Sequence, residues 1–64
     1  MANETGAPAL WTPAQTAEYL HTTEDALRVR RYRRSGPPFV KAGARVLYRA
    51  DEVVTWLRRG GEVA

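Results

Sequence analysis

Thr23 to Phe39 reads TEDALRVRRYRRSGPPF, in which five of the seven residues from Arg28 to Arg34 are arginine. Thr23 supplies a helix-capping hydroxyl, and Glu24 and Asp25 follow in the first turn, where carboxylates meet the positive end of the helix dipole. Ser35, Gly36, Pro37 and Pro38 stop the helix, because glycine permits a left-handed cap and proline cannot continue the hydrogen-bond ladder. On a helical wheel Leu27, Arg30, Arg31 and Arg34 share one side. Asp25, Arg28, Val29 and Tyr32 share the other, which faces solvent if Leu27 points to the core. Val29 and Tyr32 among charges on that face suit contact with a partner better than burial.

Upstream, Thr12, Pro13, Ala14 and Gln15 combine a capping hydroxyl, proline at the first helical position and a glutamine three residues after the cap. The spacing predicts a helix over Pro13–Leu20 with Thr16, Ala17 and Leu20 on one face, ending at His21 and Thr22. Two short helices separated by two or three residues form a helix-turn-helix signal. Downstream, Phe39, Val40 and Lys41 and then Val46, Leu47 and Tyr48 are β-prone runs joined by Ala42 to Arg45, which predicts a hairpin with a four-residue connection. Asp51 is the expected cap of a third helix, Glu52 to Arg59, carrying Val53, Trp56 and Leu57 at i, i+3, i+4 and ending at Gly60 and Gly61. The expected fold class is therefore mainly α with a short β-hairpin. Residues 1–9 are expected to form a disordered lead-in, 10–59 the domain and 60–64 a flexible tail.

Sixty-four residues make one domain with one small core. A chain of this size buries only about 60% of the surface its unfolded form exposes. Packing alone is expected to give ~3–5 kcal/mol of stability. The chain has no cysteine, so neither a disulfide nor a thiolate metal site reinforces it. One histidine, no glycine-rich phosphate loop and too little mass around a substrate pocket argue against an enzyme. No cofactor, metal or small-molecule ligand is expected. No apolar run approaches the roughly 18–20 residues of a membrane span, and Met1 to Ala9 lacks a signal-peptide layout, so a cytoplasmic location without membrane contact is expected. The net charge is +3, and all ten cationic residues lie from Arg28 onward, nine of them arginine. A concentrated arginine surface attracts phosphate, and the guanidinium fork matches phosphate and guanine geometry.

The order of helix, turn, basic helix, Gly-Pro-Pro-Phe, hairpin and C-terminal helix resembles the MerR-like winged helix-turn-helix domains of excisionases and related small regulators. The residues that carry the resemblance are Leu10, Trp11, Thr12, Pro13, then Ala17, Glu18, Tyr19, Leu20, then Tyr32 through Gly43, then Val46 to Trp56 and Leu57. It covers Leu10 to Leu57. Two positions depart from the pattern: many relatives carry tryptophan where this chain has Arg30, and glycine where it has Arg34. The first departure requires Trp11, Tyr19, Trp56 or the Arg30 stem to fill the gap. The second extends the expected helix end to Ser35.

The resemblance implies a winged helix-turn-helix with a two-stranded wing and a C-terminal helix, docking on double-stranded DNA with its second helix in the major groove. Candidate contacts on that recognition helix are Thr23, Glu24, Asp25, Arg28, Val29, Arg31, Tyr32 and Arg33. Among these Asp25, Arg28, Val29 and Tyr32 are the expected base readers. Arg28 suits guanine, and Val29 suits a thymine methyl. Glu24 or Asp25 either accepts from cytosine N4 or only favours the helix start. Arg31 and Arg33 are expected on phosphates, as are the amides of Thr12 and Thr23. Lys41, Arg45 and Arg49 are the expected wing contacts. Tyr48 and Trp56 are assigned to the core, and His21 to an exposed turn.

The implied function is that of an excisionase, a recombination directionality factor that binds attachment-site DNA and directs a site-specific integrase toward excision. No dimerisation helix of full-length MerR-type regulators follows Leu57, so neighbouring copies are expected to bind side by side and cooperatively. Such a protein works in the bacterial cytoplasm, associated with the nucleoid when bound. Two alternatives stay open: a small transcription regulator of a mobile element, and a basic adaptor that docks on an acidic protein.

Overall fold

The structure, a computed structural model, describes residues 9–61. In chain order it contains β1 (Leu10–Trp11), α1 (Pro13–Leu20), α2 (Glu24–Tyr32), β2 (Val40–Ala42), β3 (Arg45–Arg49) and α3 (Ala50–Arg58). Three helices thus accompany a three-stranded antiparallel sheet of order β1-β3-β2. This mixed α/β arrangement is compatible with a helix-turn-helix plus a wing. It corrects the expected two-stranded hairpin, since β1 adds a strand by pairing Leu10 with Arg49 and Trp11 with Tyr48. Two residues carry no readable alternation, so only the pairing with β3 defines that strand.

Helix α1 begins on the expected capping box. The Gln15 amide donates to Thr12 Oγ1 (3.1 Å), and the Thr12 amide donates to Gln15 Oε1 (2.9 Å), with Pro13 at the first helical position. Thr23 caps α2 by accepting the Ala26 amide at 3.1 Å. All three helices close on the same two-bond motif, in which consecutive amides after the helix reach back to carbonyls three and five residues earlier. In α1 these bonds run from His21 to Glu18 and from Thr22 to Ala17. In α2 they run from Arg34 to Arg31 and from Ser35 to Arg30, and in α3 from Gly60 to Leu57 and from Gly61 to Trp56. The left-handed residue each motif requires is His21 (φ 58°), Arg34 (φ 59°) and Gly60 (φ 91°). Helix α2 therefore ends at Tyr32, short of the expected Ser35, and Arg34 is the exposed hinge of its cap, not a residue turned toward the core.

Other boundaries also shift. Strand β3 runs directly into α3, whose cap is Arg49, without a side-chain cap bond. Asp51 is not the cap: it lies inside the first turn with Glu52, where both carboxylates still favour the helix dipole. One unpaired amide of that helix start, Ala50 N–H, donates to the Ala9 carbonyl at 2.9 Å. Ala9 is thereby tied to the fold, and the rest of the expected lead-in, residues 1–8, lies outside the described residues. Gly60 and Gly61 belong to the α3 cap, and the remainder of the expected tail, 62–64, likewise lies outside them. The hairpin connection is two residues, Gly43 and Ala44, because Ala42 pairs with Arg45. Gly43 takes φ 65° at the first loop position, where a type II′ hairpin turn calls for glycine.

The core consists of Ala17, Leu27, Tyr48 and Val53, with Trp11, Leu20 and Val46 packed against it. Each helix contributes one of the four, and Tyr48 on the central strand supplies the largest side chain. Thr16 is also buried, and its hydroxyl donates to the Thr12 carbonyl at 2.9 Å, so burial leaves it satisfied. Trp11 lies against Tyr19 with ring centroids 4.9 Å apart. Among the described residues no helix is long and apolar enough to cross a membrane.

Candidate nucleic-acid interface

Leu27, 1% exposed, fixes the rotation of α2 and so decides what the helix offers to solvent. Asp25, Arg28, Val29 and Tyr32 lie at spacings of three, one and three residues, which places them along one stripe. All four are exposed. Val29 is 49% and Tyr32 89% exposed, a large apolar exposure for the most highly charged helix of the chain. Arg28 Nη2 donates to Asp25 Oδ1 within this stripe, forming an i, i+3 ion pair. Thr23 and Glu24 are exposed at the same end of the helix, and Arg33 is exposed at the other.

The five clustered arginines separate into three environments. Arg28 is exposed and paired with Asp25. Arg33 and Arg34 are exposed at the helix end, with no side-chain partner among the described residues. Arg30 and Arg31 are half-buried. The Arg30 stem lies over Gly36, where an added Cβ would come within 2.9 Å of Arg30 Cδ. It also walls a cleft of about 300 Å³ together with Leu20, His21, Thr22, Leu27 and Trp56. The gap expected from the missing aromatic is thus covered by the arginine stem on one side and bordered by Trp56 on the other. Arg31 Nη1 donates to the Tyr48 hydroxyl at 2.7 Å, and its guanidinium carbon sits 5.9 Å from the Phe39 ring centre and 6.0 Å from that of Tyr48. Phe39 and Tyr48 are themselves 6.2 Å apart. Arg31 therefore ties α2 to the strands, in a guanidinium–ring arrangement strengthened by partial desolvation.

The sequence-based expectation puts Arg31 on a phosphate and does not include this contact with Tyr48. The sequence does contain the signal, since Arg31 stands four residues after Leu27 and so on the Leu27 side of the helix. What the sequence does not contain is the partner, 17 residues further on.

Lys41, Arg45 and Arg49 are all exposed, but they do not share a face. Residues directly opposite in an antiparallel pair project to the same side of a sheet. Lys41 pairs with Val46 and so lies on the side of Val46 and Tyr48 that meets the helices. Arg45 and Arg49 project to the other side together with Leu10, Val40 and Leu47. Arg45 lies beside the hairpin turn, whereas Arg49 is the cap of α3, about 13 Å along the strand from it at roughly 3.3 Å per residue. Lys41 and Arg45 thus flank the tip of the hairpin from opposite faces, and Arg49 sits at its root. Of the two amides expected at phosphates, that of Thr12 is already engaged by Gln15 Oε1.

Arginine forks at the exposed end of α2, an oriented acid–base pair and two apolar side chains on the same stripe, and cations at the hairpin tip provide donors for phosphate and for base edges. Comparison of the chain with protein-family models, with curated proteins and with solved structures gives no match.

Proposed function

We propose that this chain is a sequence-specific double-stranded DNA-binding protein of winged helix-turn-helix type. The observation that carries the reading is the outer stripe of α2: Asp25, Arg28, Val29 and Tyr32 are all exposed while Leu27 anchors the opposite side. A short helix held by one buried leucine, with its polar stripe free, suits insertion into a groove about 12 Å wide. Asp25, Arg28, Val29 and Tyr32 form the stripe that faces the base edges. The Thr23 amide stands at the helix start near a phosphate, Glu24 favours the helix start, Arg33 and Arg34 engage the backbone, and Lys41 and Arg45 follow it from the hairpin. Arg31 serves binding by holding α2 to the strands. Arg49, at the hairpin root, is the weakest of these contacts.

The role we assign is that of an excisionase acting with a site-specific integrase, on the strength of the resemblance described above. One module with ~4–6 phosphate contacts loses affinity steeply with salt, at a slope near −0.9 per contact. Useful affinity then requires neighbouring copies on adjacent sites. Footprinting on the attachment region of an integrative element is expected to show repeated protected half-sites. Salt-sensitive binding without sequence preference would overturn the reading, and absence of any mobility shift at low salt would favour an adaptor for an acidic protein. An excision assay comparing deletion with wild type separates an excisionase from a promoter-bound regulator of the same fold.

A further inference from the structure

Charge is not evenly spread along α2. Its first five residues carry Glu24, Asp25 and Arg28, a net of −1, whereas Arg30, Arg31, Arg33 and Arg34 follow within the next six positions. An acidic start and a basic end complement the helix dipole, which accounts for the gradient but not for the pairing of Arg28 with Asp25. Asp25 is 82% and Arg28 68% exposed, and an exposed pair of this kind contributes little to folding.

Its geometry has a different consequence. Arg28 commits one Nη2 donor to Asp25 Oδ1, and a guanidinium has five donors in a rigid fork. The donors that remain include a pair able to meet O6 and N7 of one guanine. Holding the side chain beforehand removes part of the ordering cost that a free arginine would meet on binding. The carboxylate beside it also repels phosphate, so the pair is biased away from the backbone and toward a base edge.

We propose that Asp25 and Arg28 act as one reading unit, in which Asp25 is a positioning residue that aims Arg28 at a guanine and denies it to phosphate. This rests on the DNA-binding function proposed above and names the residues that set its selectivity.

The test compares wild type, Asp25→Ala, Arg28→Ala and the double variant on two probes: a duplex selected by the wild-type protein from a random library, and a random-sequence duplex of the same length. Asp25→Ala is expected to bind the random duplex more tightly, because a charge that repels phosphate is gone. Its preference for the selected duplex is expected to fall about tenfold, within the range of one bidentate base contact. Arg28→Ala is expected to lose preference for the same guanine, and the double variant to lose no more than Arg28→Ala alone. A folding defect lowers affinity for both probes together and cannot raise one while lowering selectivity. The unit is overturned if Asp25→Ala keeps the wild-type preference, if both affinities fall in parallel, or if the double variant shows the sum of the two single losses. If wild type itself selects no sequence over random, the proposed function fails and the reading unit with it; if wild type selects and Asp25→Ala selects equally, only the unit fails.

Discussion

Replacing Arg34 by glycine removes a β-carbon from a backbone conformation that disfavours one. Arg34 holds φ 59° because the cap of α2 needs a left-handed residue to bring the Arg34 and Ser35 amides back to the Arg31 and Arg30 carbonyls. For an L-residue with a side chain the left-handed region costs roughly 1–2 kcal/mol. Glycine avoids this cost but gains unfolded-state entropy worth about 0.4–1 kcal/mol. The difference leaves Arg34→Gly more stable by about 0.5–1 kcal/mol. For a domain this small 1 kcal/mol corresponds to roughly 4–8 °C in Tm, so an increase of about 2–8 °C is expected.

Thermal unfolding followed by far-ultraviolet circular dichroism measures the shift. Arg34→Ala is the control: it removes the guanidinium but keeps a β-carbon, and its Tm should stay near that of wild type. Gly60→Ala is the mirror experiment at the corresponding position of α3, φ 91°, and should lower stability by about 1 kcal/mol. The reasoning is refuted if Arg34→Gly and Arg34→Ala have the same Tm. Equal gains in both variants would instead trace the effect to charge relief within the arginine cluster. Binding should move in the other direction, because Arg34→Gly and Arg34→Ala both delete a cation assigned to the DNA backbone. Each should lower the steepness of the salt dependence by about 0.9.

Tyr48→Phe deletes the acceptor of the Arg31 guanidinium while keeping the core filled, so urea unfolding should show a loss of about 1.5–3 kcal/mol, reduced to the extent that water reaches Arg31. Arg31→Met should weaken DNA binding without changing its salt slope, because the lost charge is held by Tyr48 and not by a phosphate; a slope reduced by about 0.9 would place Arg31 on the backbone after all. Thr23→Ala removes the hydroxyl that accepts the Ala26 amide and should cost about 1 kcal/mol, read as a lower midpoint at unchanged m-value. Leu27→Ala should cost about 2–5 kcal/mol, enough against a total of ~3–5 kcal/mol to leave much of the protein unfolded at room temperature by circular dichroism.

How far the sequence could be read depended on the distance over which each feature is determined. The two threonine caps, the proline at the start of α1 and the exposed stripe of α2 are set by residues within one or two turns, and they appear where local patterns place them. The start of α3 is different. Asp51 looks like a cap because acids favour helix starts, but no loop separates β3 from α3, and the amide left open at Ala50 is met by Ala9, 41 positions earlier. Strand β1 exists only by pairing with Arg49 and Tyr48. The hairpin loop shortened from four residues to two because Gly43 at φ 65° turns the chain alone with Ala44, which lets Ala42 and Arg45 pair. On the candidate interface the exposed stripe was legible from the position of Leu27, while the split of Lys41 from Arg45 and Arg49 follows from strand register, which β-propensity does not supply.

The left-handed arginine and the buried leucine together explain why five adjacent cations need not act alike. Rotation of α2 is fixed by Leu27, so each arginine's environment follows from its offset. One position on, Arg28 is in solvent beside Asp25; four on, Arg31 reaches Tyr48; three on, Arg30 covers Gly36 and the cleft beside Trp56. Arg33 and Arg34 escape this rule because the helix has ended, and the φ of 59° at Arg34 takes the chain off the helical path. A glycine there would make the same turn at lower cost but without a charge. In a domain with ~3–5 kcal/mol in total, roughly 1–2 kcal/mol of backbone strain at Arg34 is a large fraction of the whole. Under the proposed function a phosphate contact of Arg34 would offset that cost, which is why the stability of Arg34→Gly and its affinity for DNA are expected to change in opposite directions.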